Sequence, residues 1–187
     1  MGWHLRVCRF GHAHYVFKQE ADESCGPSCA LMLFQRLRNV RLDALNSYRG
    51  FSSYGQGGAH GGYDGSNPTG GNDMARFLRN VMGQACVYKR GTAQELTDGV
   101  LANLRGGKPV VFGVMWVDED GNHTRGGHWV VADRVTKFLG KTYVCACDPG
   151  DGHVHVTEFR AGIQTYYQPR YGGRQDDSDL DDYIEFP

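Results

Sequence analysis

Residues 24–38, with the sequence SCGPSCALMLFQRLR, carry the strongest structural signal in the chain. Ser24 is a residue type that caps helix N-termini, and a proline such as Pro27 is tolerated in the first helical turn. The apolar residues that follow recur at i, i+3, i+4 and i+7, a spacing that places them on one helical face: Ala30, Leu33, Phe34 and Leu37. The sequence therefore predicts a helix over 24–38 with one face in the core.

The segments around this helix differ in composition. Residues 1–18 contain short apolar and aromatic runs, which predict one or two N-terminal strands. Residues 50–72 contain nine glycines among Ser, Asn and Pro, so they bury too little apolar surface to fix a shape, and we expect a mobile loop. Two further helices are predicted, one starting at Asn72 and one over 92–104, which opens with a Thr-x-x-Glu capping box.

The second half of the chain changes to the period-two pattern of strands. Four strands are predicted, over 109–117, 128–135, 142–148 and 153–159. Helices followed by antiparallel strands indicate the α+β class. We expect one domain over 1–174 and then a solvated acidic tail over 175–187, because six of those thirteen residues are Asp or Glu.

Length and composition exclude several classes of protein. At 187 residues and 20.8 kDa the chain is the size of one ordinary domain, and 40% apolar residues suffice for a core. No apolar run approaches the ~18 residues of a bilayer-spanning helix, so no membrane association is expected. Lys and Arg (20) nearly balance Asp and Glu (21), which argues against a nucleic-acid-binding protein, since such proteins carry a basic surface.

The six cysteines are expected to be reduced thiols. The chain is too large for a small disulfide scaffold, and its first residues lack the basic and apolar segments of a secretory signal. We therefore expect a cytoplasmic protein, or one that is exported without a signal peptide. The cysteines are Cys8, Cys25, Cys29, Cys86, Cys145 and Cys147.

Cys25 and His128 are the candidate nucleophile and base. Cys25 lies at the start of the predicted helix, where the positive end of the helix dipole favours a thiolate. The alternative is a small buried apolar residue, the usual fate of a lone cysteine. His128 opens an apolar strand directly after Gly126 and Gly127, which would let a substrate backbone approach closely. The alternative for His128 is a structural role at the strand end.

Asp148 is the candidate group that orients His128. A hairpin that pairs residues 138 and 141 places His128 opposite position 151 and Asp148 opposite position 131. A shift of one or two residues, or a bulge, would bring the two side chains into diagonal range. The alternative is that Asp148 is a turn residue before Pro149.

Gln19 completes the set, six residues before Cys25. Its side-chain amide could stabilise an oxyanion beside the backbone N–H of Cys25, although a lone loop glutamine is usually solvated. The four candidates lie in three short motifs: Gln19-x5-Cys25-Gly-Pro-Ser-Cys, Gly127-His128-Trp129 and Cys147-Asp148-Pro149-Gly150.

Taken in order, these motifs resemble the papain-like cysteine peptidases. The likeness is strongest to the bacterial branch related to the double-glycine leader peptidases of bacteriocin exporters, and it covers about residues 15–160. In that branch a Gln, Cys, His and Asp occur in this order, with Cys at the start of a long helix and His and Asp on neighbouring strands.

The resemblance implies a papain-like fold, in which a helical half carrying the Cys packs against an antiparallel sheet, and a thiol hydrolase that cleaves peptide bonds. It implies catalytic roles for Cys25, His128 and Asp148, an oxyanion role for Gln19, and substrate contacts from Gly126, Gly127 and Trp129. The substrate would be a peptide or protein, with no cofactor and no metal. Residues 50–72 would then border the substrate cleft as a flexible flap; the alternative is a surface loop with no role.

Three alternatives stay open at this point. Phytochelatin-synthase-like transpeptidases share the order Cys, His, Asp, so the same residues could transfer an acyl group to an amine. A papain-like fold could also bind peptides without catalysis. Two cysteine pairs could form a zinc site, although Cys-x3-Cys and Cys-x-Cys are not the usual spacings: Cys25, Cys29, Cys145 and Cys147. The setting is either a cytoplasmic processing peptidase or a bacterial effector or toxin, whose partner would be an inhibitor or immunity protein.

Overall fold

A computed structural model describes residues 2–19, 23–41, 69–83, 85–168 and 173–186. Its helices are α1 (Cys25–Arg38), α2 (Gly71–Met82) and α3 (Ala93–Arg105). Its strands are β1 (Gly2–Val7), β2 (Ala13–Lys18), β3 (Val87–Lys89), β4 (Val110–Val117), β5 (His123–Phe138), β6 (Lys141–Asp148), β7 (His153–Glu158), β8 (Ile163–Gln168) and β9 (Gly173–Glu185).

The architecture is α+β, as the sequence predicts. Seven strands form one sheet in the order β3-β9-β4-β5-β6-β7-β8, with every pairing antiparallel. Strand β8 also pairs with β9, so six of these strands close into a ring. Strands β1 and β2 form a separate antiparallel hairpin.

The core lies on two opposite faces of β5 and β6, as the period-two pattern of these strands requires. On one face, Trp129 and Cys147 belong to a cluster with the buried side of α1. On the other face, Val130 and Ala146 belong to a cluster with the buried side of α3. The sheet is therefore covered by a helix on each side, and the N-terminus of α1 is held against β5.

The predicted helices are confirmed, and the N-termini of α1 and α3 are capped differently. The Thr92 side chain accepts from the N–H of Glu95, and the Glu95 carboxylate accepts from Thr92, which is the expected capping box. Ser24 is the N-cap residue of α1 but makes no side-chain capping bond. Instead, the hydroxyl of Ser28 donates to the carbonyl of Ser24 at 2.9 Å.

The prediction of a solvated acidic tail is wrong. Residues 173–185 form β9, which lies between β4 and β3 and supplies part of the core. Leu180, Ile184 and Phe186 are buried, and their even spacing is the period-two signal of a strand. The six acidic residues among these thirteen led to the prediction of a solvated tail, although one of them, Asp182, is buried. The prediction of a single domain stays a prediction.

Two further expectations concern the glycine-rich segment and membrane-spanning helices. Of the segment predicted as a flap over 50–72, residues 50–68 lie outside the described residues. Within the described part of the chain, no helix is long and apolar enough to cross a membrane.

Candidate active site

Cys25 is the first residue of α1, and only 5% of its surface is exposed. The next residue has to be glycine, because a Cβ at Gly26 would lie 2.6 Å from the Thr69 hydroxyl oxygen. The segment at Thr69 is in turn fixed by Trp129, whose indole N–H donates to the Thr69 carbonyl at 2.7 Å. These contacts hold the N-terminus of α1 against β5 and the start of α2.

A bulge in β5 sets the register that brings His128 to Asp148. The hairpin pairs Phe138 with Lys141, as predicted, but the register shifts between Ala132 and Arg134. Beyond the shift Val131 faces Cys147. Asp148, one position further along β6, is therefore within diagonal reach of His128.

The His128 ring is fixed on two sides. Its Nε2 lies 2.7 Å from Oδ1 of Asp148, and the same carboxylate oxygen accepts the backbone N–H of Gly150 at 2.7 Å. The ring of Trp116, from β4, stacks on the imidazole with centroids 5.5 Å apart and planes at 25°. Since Nε2 is engaged by Asp148, Nδ1 is the nitrogen left for the Cys25 thiol.

The electrostatics of the site favour a protonated imidazole. Burial alone would lower the pKa of His128, but the charges and hydrogen bonds of Asp148 and Cys25 raise it to about 10. One turn further along α1, Cys29 is fully buried, and this burial raises the pKa of its thiol well above the usual range. The Cys29 sulfur donates to the Trp129 carbonyl at 3.1 Å, so Cys25 is the thiol that faces the pocket.

Three other predicted site residues differ in their position relative to the pocket: Gln19, Gly127 and Trp129. The backbone N–H of Gln19 donates to the carbonyl of Pro149 at 2.8 Å, which ties the end of β2 to the turn after Asp148. Gln19 is not among the described residues that line the pocket beside Cys25. Gly127 and Trp129 do line that pocket, but Trp129 is only 7% exposed and serves mainly as its wall.

The pocket has a volume of about 160 Å³ and an acidic side that the sequence did not reveal. Only 5% of the Asp182 surface is exposed, and its Oδ2 accepts a hydrogen bond from the Tyr88 hydroxyl at 2.7 Å. Burial raises the pKa of Asp182 to about 6, although the Tyr88 hydrogen bond acts in the opposite direction. The sequence signal that could have predicted a buried Asp182 is its period-two spacing with Leu180 and Ile184. The pocket lies among Cys25, Gly70, Met115, His128, Trp129 and Asp182.

Gly113 should be intolerant of a side chain. A Cβ there would lie 2.1 Å from Oδ1 of Asp182, so Gly113→Ala has to displace a buried carboxylate and is expected to lower the free energy of unfolding by about 1–3 kcal/mol. Urea unfolding measures this loss. The double variant Gly113→Ala/Asp182→Ala removes the clash and should lose less than the sum of the two single changes. A Gly113→Ala protein as stable as the wild type would contradict the described packing.

Comparisons with known proteins find similarity only to solved structures, at low sequence identity. No protein-family model matches the chain, and no curated protein matches its sequence. One similar solved structure is described as a C39-like peptidase from Bacillus anthracis: it is 13% identical, the match covers 91% of this chain and 94% of that chain, and the TM-score is 0.45. Another is UfSP from C. elegans, 12% identical over 100% of this chain and 35% of that chain, with a TM-score of 0.43. The function of the chain is therefore indicated by the geometry of its own site.

Proposed function

We propose that this chain is a papain-like cysteine peptidase that cleaves peptide bonds with Cys25, His128 and Asp148. The observation that carries the proposal is the position of the His128 ring, between the Asp148 carboxylate at 2.7 Å and the Cys25 thiol at the start of α1. A nucleophile, a base and a group that orients the base are the three parts that covalent catalysis needs. All three border one pocket or lie directly behind it.

The first half-reaction follows from these contacts. The Cys25 thiolate attacks the carbonyl carbon of the peptide bond, and the electron pair of the C=O bond moves to the oxygen. The backbone N–H of Cys25 and the side-chain amide of Gln19 are the two donors that we propose for that oxyanion. The imidazolium of His128 then gives the Nδ1 proton to the leaving amine as the C–N bond breaks, which leaves a thioester on Cys25.

The second half-reaction restores the thiol. Neutral His128 takes a proton from a water molecule at Nδ1, and the oxygen of that water attacks the thioester carbonyl. The C–S bond breaks, a carboxylic acid leaves, and Cys25 returns as a thiolate beside the imidazolium. Throughout, Asp148 and the stacked ring of Trp116 hold the imidazole in one orientation. The effector or toxin role, the inhibitor partner and the cellular location stay predictions.

The experiment that tests this proposal is a comparison of new peptide termini in a whole-cell lysate. The wild-type chain and the Cys86→Ser variant, whose buried thiol donates to the Ala75 carbonyl at 3.1 Å, are both expected to generate the same set of new termini. The Cys25→Ala variant should generate none. An identical set from Cys25→Ala, or no new termini from the wild type, would refute peptide cleavage by this site. A parallel incubation with free amine acceptors shows whether the thioester is transferred instead of hydrolysed.

A further inference from the structure

A second cluster of reactive side chains lies outside the residues that line the pocket. Cys8 follows β1, His14 lies on β2 and Cys145 lies on β6, and each is at most 3% exposed. Their ligand atoms all lie within 4.8 Å of one another, and the two sulfur atoms are 3.5 Å apart. None of the three takes part in the proposed peptidase chemistry.

The distances match the requirements of a zinc ion. Thiolate and imidazole ligands at normal zinc bond lengths are separated by about 3.6–3.8 Å in a tetrahedron. The separation of the Cys8 and Cys145 sulfurs is close to that value, whereas a disulfide needs about 2.05 Å. No disulfide is present among the described cysteines. Small shifts would therefore admit an ion, while a disulfide would require the sulfurs to approach by well over 1 Å.

His14 is oriented as a metal-binding histidine is. Its Nδ1 lies 2.9 Å from a carboxylate oxygen of Asp133, and this arrangement of carboxylate, imidazole and metal fixes the ring and makes the other nitrogen more basic. The side chain is almost fully buried, and neither ring nitrogen makes a hydrogen bond of good geometry among the described residues; the sulfurs of Cys8 and Cys145 lie within 4.8 Å of its ligand atom. A buried nitrogen in this state costs free energy unless something occupies the position that it faces.

Charge balance also favours a divalent ion. Two thiolates and a neutral imidazole around Zn²⁺ sum to zero, which keeps the cost of burial low. The neighbouring Asp133 is paired with Arg36, whose Nε lies 2.6 Å from the carboxylate, so that pair is neutral as well. Arg36 also donates to the Cys147 sulfur at 3.0 Å, so this nearby thiol already has a partner. Three protein ligands leave one coordination position for a further donor.

We propose that Cys8, His14 and Cys145 bind a zinc ion that fastens the β1–β2 hairpin to β6. The sequence alone predicts no metal, and its zinc alternative combines Cys25 and Cys29 with Cys145 and Cys147. Among the described residues, Cys25 and Cys29 belong to no group that could hold a metal ion, whereas Cys145 and Cys147 each belong to one. The ion would link the two strands that lead into Gln19 and Asp148. It would thereby support the geometry of the site without taking part in its chemistry.

The test uses the full chain and does not depend on peptidase activity. Protein produced with added zinc is analysed for metal after extensive dialysis, and we expect about one zinc per chain in the wild type. Cys8→Ser and Cys145→Ser should each lose most of it, while Cys86→Ser retains it. Cys25→Ala should also retain it, so a failure of the peptidase proposal leaves this one intact. Equal zinc in Cys8→Ser and the wild type, or none in either, would overturn the site.

A measurement on the unmodified chain covers the case in which a variant does not fold. Native alkylation of the wild type should leave Cys8 and Cys145 unmodified with zinc bound, and a chelator should make both reactive while lowering the melting temperature by roughly 5–10 °C. Cobalt in place of zinc should give the thiolate-to-metal absorption band of a tetrahedral site. A chelator with no effect on either thiol, or a Cys8–Cys145 disulfide in peptide maps, would show that no metal holds them.

Discussion

Replacing Cys25 with Ala is expected to lower kcat for peptide hydrolysis by about 10⁴-fold or more, because no covalent intermediate forms without the sulfur. The fold should survive, since the change removes only one sulfur atom at the start of α1, where the side chain faces the pocket. The measurement is steady-state hydrolysis of a peptide that the lysate experiment identifies as a substrate.

A matched control separates the nucleophile from the other thiols. Cys86→Ser changes a buried thiol that contacts the Ala75 carbonyl, outside the pocket, and should leave kcat within about twofold of the wild type. Full activity in Cys25→Ala would mean that another group attacks the substrate.

Replacing Asp148 with Asn is expected to lower kcat/KM by about 10²–10⁴-fold and to change its pH dependence. In the wild type, burial lowers the pKa of His128, but Asp148 and Cys25 raise it to about 10. The imidazolium that the leaving amine needs is thus present below pH 10 and is lost as the pH rises through that value. Without the Asp148 carboxylate the main raising contribution is gone, so the proton is lost at lower pH.

The pH profile of kcat/KM tests this sign directly. The alkaline limit of the wild type should lie near pH 10, and that of Asp148→Asn should lie well below it. Asp151→Asn is the matched control, because Asp151 pairs with His155 at 2.8 Å and not with His128, and its alkaline limit should equal that of the wild type. An unchanged limit in Asp148→Asn would show that this carboxylate does not control the base.

The sequence was informative wherever one periodicity dominated. Helix α1 and strands β4 to β7 carry strong helical or period-two patterns, and the structure has them within a few residues of the predicted bounds. Strand β9 was missed because acidic residues alternate with Leu180 and Ile184. Polarity on one face of a strand is normal, and it becomes informative only when the tertiary pairing is known. The buried position of Asp182 was invisible for the same reason.

The sequence could suggest candidate site residues but not their geometry. The hairpin arithmetic placed His128 and Asp148 near each other only if a bulge or a slip intervened, and the structure has that bulge at Asp133. Its cause is tertiary: the Asp133 carboxylate is bound by Arg36 from α1 and by His14 from β2. A single strand cannot reveal such partners, because they come from segments about a hundred residues away.

The most direct test of the central claim is covalent labelling with a peptidyl epoxide, followed by intact-mass measurement and peptide mapping. The wild type should gain one adduct, located on Cys25, and His128→Ala should react at least about tenfold more slowly because its thiol lacks the base. The Cys86→Ser control should label like the wild type. An adduct on any other cysteine, or equal labelling of Cys25 with and without His128, would contradict the proposed Cys25–His128–Asp148 site.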